Sequence, residues 1–142
     1  MSTSYTIHVR PASDATAEDL LADLAAALGA ELFANEYGDG WSVQTPAGIA
    51  DMFTEQPRFD DEPGIPFSQY PWYVEMGTPK VDDARNRQVL AQLWSLYEAL
   101  TVTGRYLCCF VHEFSTLLAT NDPAVTREPE HQPFLNSDQE RP

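Results

Sequence analysis

The first apolar pattern in the chain has a period of two residues. Tyr5, Ile7 and Val9 alternate with polar residues, as expected for a strand with one buried face. Pro11 should end this strand, because proline cannot donate a hydrogen bond to a neighbouring strand.

An amphipathic helix is predicted next. One arc is apolar: Leu20, Leu21, Leu24 and Leu28. The opposite arc is acidic: Glu18, Asp19 and Asp23. The sequence from Thr16 to Asp19 resembles a capping box, with Asp14 as a competing N-cap. Gly29 can supply the left-handed residue that ends a helix.

Residues 31–54 are interpreted as short strands separated by turns. A hairpin turn is predicted at Gly38-Asp39-Gly40, since glycine adopts positive φ without steric cost. A second turn is predicted at residues 46–48. Residues 49–54 fit either a strand or a short helix, because periodicity does not distinguish the two in so short a segment.

Residues 57–71 form a predicted loop that lacks regular structure. Proline recurs in it, at Pro57, Pro63, Pro66 and Pro71. It also carries apolar residues, namely Phe59, Ile65, Phe67 and Tyr70. Ordered loops of this length are often functional. A further strand is expected over residues 72–76, stopped by Gly77 and Pro79.

The second predicted helix starts after Asp82 and ends before Gly104. Its apolar arc comprises Val89, Leu90, Leu93, Trp94, Leu96, Tyr97 and Leu100. Residues 106–112 then form a strand that is apolar on both faces, which is typical of a strand inside a sheet. Residues 114–119 either extend this strand or form a short edge element.

These elements predict an α+β fold in which residues 1–121 form one domain. We expect one antiparallel or mixed sheet of about five strands, with two helices on one face, similar to a split βαβ arrangement. Residues 122–142 are expected to form an acidic, proline-rich tail that is extended or flexible. The second sheet face then needs a cover from the loop, the tail, a second subunit or a partner.

The net charge limits the classes of function that are expected for this chain. The 142 residues contain 22 acidic and 8 basic side chains, and the net charge is −14. This charge disfavours nucleic-acid binding, because phosphates would be repelled. No apolar stretch approaches the length of a membrane span, and no signal peptide is recognisable. We therefore expect a cytoplasmic protein that binds neither nucleic acid nor membranes.

The acids concentrate on the first helix, the hairpin after it and the tail. The long loop also carries an acidic triplet, at residues 60–62, and aromatic residues accompany it. Acidic groups beside aromatic anchors suit a surface that binds a basic partner. The residues predicted to bind this partner are Glu18, Asp19, Asp23, Glu55, Phe59, Asp60, Asp61, Glu62, Phe67 and Tyr70.

Catalytic motifs are not recognisable in the sequence. It has no nucleophile elbow, P-loop, dinucleotide fingerprint or zinc-protease motif. Cys108 and Cys109 are expected to be buried and inert, and in a strand Cys108 would lie about 13 Å from His112. The acidic triplet at residues 60–62 lacks the spacing of a calcium-binding loop. We predict no metal, no cofactor and no enzymatic activity.

Three functions remain as hypotheses. The first is an acidic inhibitor of the immunity or antitoxin type, which blocks the active site of a basic protein. The second is a small-molecule or enzymatic domain whose pocket, on the open sheet face, contains Tyr73, Glu75, Tyr106, Phe110 and His112. The third is a homodimer in which open sheet faces pack together.

Overall fold

The computed structural model describes residues 2–34, 40–54, 60–79, 83–113 and 116–129. Within these ranges the chain forms seven strands, two α-helices and one short 3-10 turn. In chain order they are β1 Ser2–Pro11, α1 Ala17–Leu28, β2 Phe33–Ala34, β3 Gly40–Thr45, β4 Gly48–Phe53, the 3-10 turn Phe67–Gln69, β5 Trp72–Pro79, α2 Asp83–Val102, β6 Tyr106–His112 and β7 Thr116–Thr120.

The predicted capping signals of α1 are confirmed. The Thr16 hydroxyl accepts a hydrogen bond from the backbone N–H of Asp19, and the Asp19 carboxylate accepts one from the backbone N–H of Thr16. Thr16, rather than the alternative Asp14, is therefore the N-cap. Gly29 ends the helix at φ 63°, in the left-handed region that glycine adopts without strain.

The sheet is antiparallel throughout, with strand order β2-β3-β4-β5-β1-β6-β7. The strands β5 and β6 flank β1 and both run antiparallel to it. They are therefore parallel to each other, and α2 connects them, which is a split βαβ unit. This confirms the predicted α+β class. Seven described strands exceed the predicted five because the segment left open between strand and helix forms the strand β4, Gly48–Phe53, and Thr116–Thr120 form the edge strand β7.

Both helices pack on the same face of the sheet. Leu20 and Leu24 of α1 and the apolar arc of α2 join the inward-facing side chains of the central strands in one hydrophobic core. Alternation along β1 and β6 decides which side chains enter it, so Ile7 and Phe110 are fully buried there. No helix in the described residues combines the length and apolar character needed to cross a membrane.

The second face of the sheet is covered over β1, β6 and β7. Ile65, Phe67 and Tyr70 of the proline-rich segment pack against Cys109, Val111 and Leu117 of the sheet. Residues 122–129 join this layer, where Val125 adds apolar contact. Backbone bonds fix the two segments together, since the Gly64 carbonyl accepts from the Thr126 N–H at 3.0 Å. Two of the covers expected from sequence, the loop and the start of the tail, therefore share this role.

Some expectations differ from the structure or lie outside its described part. The strand predicted to stop at Gly77 continues to Pro79 as β5, paired with β1 over its whole length. The hairpin turn at residues 38–40 and the helix cap at Asp82 involve residues outside the described ranges. Residues 130–142 of the predicted tail are also outside them.

Candidate functional sites

The two aromatic residues of the loop that the structure describes face inward. Phe67 and Tyr70 are each 3% exposed. The Phe67 ring lies 4.7 Å from the His8 ring, measured between centroids. Both side chains belong to the second-face core and cannot serve as surface anchors for a partner. Glu55 and Phe59, which were predicted beside them, lie outside the described residues.

A buried polar network fixes Tyr70 in place. Its hydroxyl donates to Asp122 at 2.6 Å and accepts from the Cys109 thiol at 3.2 Å. Asp122 also accepts two bonds from the Arg10 guanidinium, at 2.7 and 2.8 Å. Burial raises the pKa of Asp122, but the bonds from Arg10, Tyr70 and the Ala124 N–H outweigh it and hold that pKa below its ordinary value.

The acidic triplet of the loop stays at the surface. Asp60 and Asp61 are exposed, and Glu62 is half-buried where its backbone pairs with Ile65. The Asp61 carboxylate accepts from the backbone N–H of Ser68 at 2.8 Å, which lowers the pKa of Asp61. The triplet therefore contributes negative charge to this surface, and neither Phe67 nor Tyr70 lies beside it as an exposed anchor.

The acids of α1 have different roles. Asp19 completes the capping box. Asp23 pairs with the Arg105 guanidinium and accepts from the Tyr106 hydroxyl at 2.6 Å. Glu18 is exposed. Of the three predicted partner-binding acids on this helix, Glu18 is thus the one whose carboxylate has no hydrogen bond or ion pair to the described part of the chain.

An apolar groove runs between α1 and the edge of the sheet, next to Glu18. It is wide open to solvent, has a volume of about 570 Å³ and is lined by Glu18, Leu21, Ala22, Ala25, Glu31, Leu32 and Trp41. We call it the α1 groove. Its base is apolar, and its two charged residues are both acidic. On the adjoining strand β2, the side chain of Phe33 is 56% exposed. Acidic charge and apolar area therefore occur together in the α1 groove. The sequence predicts this association for the long loop instead.

The residues of the predicted pocket are divided between the two faces of the sheet. Tyr106 and Phe110 are 1% and 0% exposed in the helix-side core, and His112 stacks on Tyr5 at 4.6 Å. Tyr73 and Glu75 occupy the second face, because they pair with His8 and Thr6 of β1. A single pocket cannot contain all five, since side chains of paired strands alternate between faces in register.

The described second face does bring Tyr73 and Glu75 together with two residues of β4. Asp51 pairs with Glu75, and Phe53 pairs with Tyr73. The Phe53 and Tyr73 rings are stacked with their centroids 4.7 Å apart. We call the four half-buried residues Asp51, Phe53, Tyr73 and Glu75 the β4–β5 grid. Asp51 and Glu75 form a row of carboxylates, and Phe53 and Tyr73 form a row of aromatic rings beside it. The alternation of Ile49, Asp51 and Phe53 is the sequence signal for this surface, but so short a segment fits a strand or a helix.

Polar neighbours surround the carboxylates of the grid. The Ser42 hydroxyl donates to Asp51 at 2.7 Å. Partial burial raises the pKa of Glu75, a hydrogen bond from Ser4 opposes this shift, and the nearby charge of Asp51 adds to it. The Thr6 side chain, directly opposite Glu75 in the register, is fully buried.

The remaining buried titratable groups indicate structural rather than chemical roles. Burial among aromatic rings lowers the pKa of His8 to about 3, so its imidazole is neutral at physiological pH. Burial also raises the pKa values of Cys108 and Cys109, which keeps both thiols protonated. Among the described residues, no three His, Cys, Asp or Glu side chains are grouped so that they could hold a metal ion.

Comparisons with known proteins provide no functional reference. No protein-family model matches the chain, and neither the curated proteins nor the solved structures contain a significant match. Function is therefore inferred from the α1 groove and the charge of the chain.

Proposed function

We propose that this chain is an acidic protein-interaction module that binds a basic partner and inhibits it by covering its active site. The α1 groove is the observation that carries this proposal. It combines an apolar base with acidic residues alone among its charged lining, Glu18 and Glu31. In a chain of net charge −14, such a surface attracts basic proteins and repels acidic ones.

The groove has the composition of a protein-binding surface. Aromatic and aliphatic residues that exclude water supply most of the affinity at such surfaces, and charges around them set orientation and association rate. Trp41 and Leu32 suit the first role, and Glu18 and Glu31 suit the second. The exposed Phe33 extends the apolar area along the sheet edge.

The charge of the chain supports an inhibitory mechanism. Enzymes that act on nucleic acids or phosphorylated substrates have basic active sites, which an acidic surface occludes by steric and electrostatic contact. An immunity or antitoxin-type inhibitor has this character. We place this activity in the cytoplasm, where the inhibitor would meet an enzyme made in the same cell.

The test is affinity capture from the cell that expresses the chain, at about 50 mM and 500 mM salt. The proposal expects a basic protein that is retained at low salt and released at high salt. The double variant Glu18→Gln with Glu31→Gln should lose most of this capture. Glu98→Gln, which removes an exposed acid of α2, is the control and should retain it.

The inhibitory step needs its own measurement. If the captured protein is an enzyme, the wild-type chain should suppress its activity at a one-to-one ratio, and Trp41→Ala should weaken that suppression. Capture that is equal for wild type and the double variant would refute the α1 groove as the binding surface. Capture without loss of enzymatic activity would refute the inhibitory mechanism.

A further inference from the structure

One wall of the α1 groove is a row of side chains along α1. Four residues form this row, namely Glu18, Leu21, Ala22 and Ala25. Their spacing of i, i+3, i+4 and i+7 places them on one side of the helix. The row lies next to the arc of α1 that enters the core. The apolar surface of this helix is therefore wider than the part that the sheet covers.

The rest of the apolar lining comes from outside α1. Leu32 and Trp41 pack against the helix-side core but are only half-buried, so part of each side chain lines the groove. Phe33, the next residue after Leu32, is 56% exposed. The groove thus has one helical wall and a second wall of larger apolar side chains.

The helical wall has the dimensions of a site where a second helix packs. From Glu18 to Ala25 it rises about 10 Å along the axis of α1, which is about two helical turns. Ala22 and Ala25 have small side chains, so a second helix can approach to the usual interaxial distance of about 8–10 Å. Leucine-type side chains of that helix would then contact Leu21 and Trp41.

The two acids of the groove lie near opposite ends of α1. Glu18 is in the first turn, and α1 rises about 15 Å from there to its last residue, Leu28. The Ala30 N–H donates to the Ala25 carbonyl at 3.2 Å, which holds Ala30, and hence the next residue, Glu31, near the end of the helix. Neither glutamate has a hydrogen bond or ion pair with another described residue. Both carboxylates can therefore pair with basic groups of a ligand.

We propose that the α1 groove binds an amphipathic α-helix of the basic partner. The inner face of that helix carries leucine-type side chains, with a lysine or arginine at each end of the face. Eleven residues span three turns and about 16 Å, so two bases at this spacing lie on one side of a helix and match the two glutamates. This inference rests on the proposed function and specifies which element of the partner makes the contact.

Other occupants match the groove less well. The strand β2 is two residues long and pairs with β3 at Phe33 and Ala34, so it is a short template for an added strand. A second copy of this chain has the same net charge of −14 and would be repelled. The charge and the helical wall together favour a basic helix.

The test is binding of a labelled peptide to the full chain, followed by fluorescence anisotropy. The peptide is a fifteen-residue helix of alanine and glutamine that carries two leucines on one face, between two lysines that are eleven positions apart. Saturable binding is expected, with 15N amide shifts in α1 and at Leu32 and Trp41. A peptide of the same composition, with leucines and lysines scattered around the helix, should bind at least tenfold more weakly. Equal binding of both peptides would overturn the proposal, because it indicates attraction by charge alone.

Ala22→Lys and Ala27→Lys are a matched pair of variants. Each replaces an exposed alanine of α1 by lysine, a good helix former, and each changes the net charge equally. The two positions are about 140° apart around the axis, and Ala22 lines the groove whereas Ala27 does not. Ala22→Lys should weaken peptide binding at least tenfold, and Ala27→Lys should bind within about twofold of wild type. Equal affinities of the two variants would overturn the assignment of the peptide to the α1 groove.

A peptide with proline between the two leucines tests whether the ligand is helical. Proline inside a helix costs about 3 kcal/mol, but an extended segment tolerates it. The proline peptide should bind at least tenfold more weakly, and the original peptide should gain helical circular dichroism when it binds. Undiminished binding of the proline peptide would overturn the helix in favour of an extended ligand.

Competition with the captured partner separates this inference from the proposed function. Release of that protein by the amphipathic peptide supports both. If a basic protein is captured through Glu18 and Glu31 but the peptide neither binds the groove nor displaces it, the helix is refuted and the inhibitor proposal stands. If the peptide binds the groove but no basic protein is captured, the inhibitor proposal is refuted and the helix remains the class of ligand that the groove binds.

Discussion

The carboxylate of Asp122 should contribute much more to stability than that of Asp23, although both accept bonds from an arginine and a tyrosine. The Asp122 side chain is 0% exposed and its partner Arg10 25%, whereas the values for Asp23 and Arg105 are 20% and 48%. A charge pair shielded from water is strengthened by the low local dielectric, while an exposed pair is screened. Burial is therefore the variable that separates the two.

We expect Asp122→Asn to lower the free energy of unfolding by about 2 kcal/mol. Loss of one partner from a fully buried pair costs about 3–5 kcal/mol. Partial exposure of Arg10 reduces that range, and the asparagine oxygen still accepts one bond. Asp23→Asn is the matched control, and we expect it to lower the free energy by about 0.5 kcal/mol.

Urea unfolding followed by tryptophan fluorescence at pH 7 measures both values. The pKa of Asp122 is depressed in the folded chain. Its stabilisation is therefore complete above the unfolded pKa of about 4 and is lost as the pH falls through the folded value. The difference between wild type and Asp122→Asn should shrink below pH 4. Equal destabilisation by the two substitutions at pH 7 would refute the reasoning from burial.

Three further predictions concern single positions. Gly64→Ala should destabilise the chain by about 2 kcal/mol, because the φ of Gly64 is +81° and the new Cβ would lie 2.8 Å from a backbone nitrogen. Gly104→Ala should destabilise it by about 1 kcal/mol, because the φ of Gly104 is +74° but no atom lies within 4 Å of the new Cβ. Equal losses of stability in urea unfolding would exclude the clash at Gly64. The free energy of unfolding should fall by about 1 kcal/mol per pH unit between pH 6.5 and 5, because the unfolded chain protonates His8 and the folded chain does not. His8→Gln should reduce this slope, and an unchanged slope would contradict a neutral buried imidazole. Cys108 and Cys109 should resist thiol reagents in the native chain and react in 8 M urea, since both are buried. If the native chain were labelled as fast as the unfolded chain, that result would contradict the burial of the two thiols.

Local signals in the sequence were sufficient to predict most of the fold. The capping box at Thr16, the left-handed Gly29 and the apolar arc of α2 each depend on neighbouring residues, and the structure confirms them. The two-sided apolar pattern of β6 also located it correctly inside the sheet. Such features can be predicted without knowing which residues far away in the sequence they contact.

The candidate sites depend on contacts that local patterns do not contain. Tyr70 and Asp122 meet across 52 positions of sequence, so burial of this loop aromatic could not be deduced from its neighbours. The pairing of Asp51 with Glu75 requires the strand register. The α1 groove likewise joins Glu18 to Trp41 of another element. Local patterns therefore indicate that acids and aromatics matter, but they predict that these residues associate on the long loop.

The position of β1 within the sheet has a consequence for biosynthesis. This strand lies between β5 and β6, and its Pro11 pairs with Tyr106, about 95 positions later in the chain. While the chain is being translated, β1 has neither partner until β5 and then β6 have emerged from the ribosome. Because closure of such long loops precedes any gain from strand pairing, the sheet should assemble late and slowly. Nascent chains that stop before β6 should therefore expose one side of β1, and chaperones would be expected to bind them there.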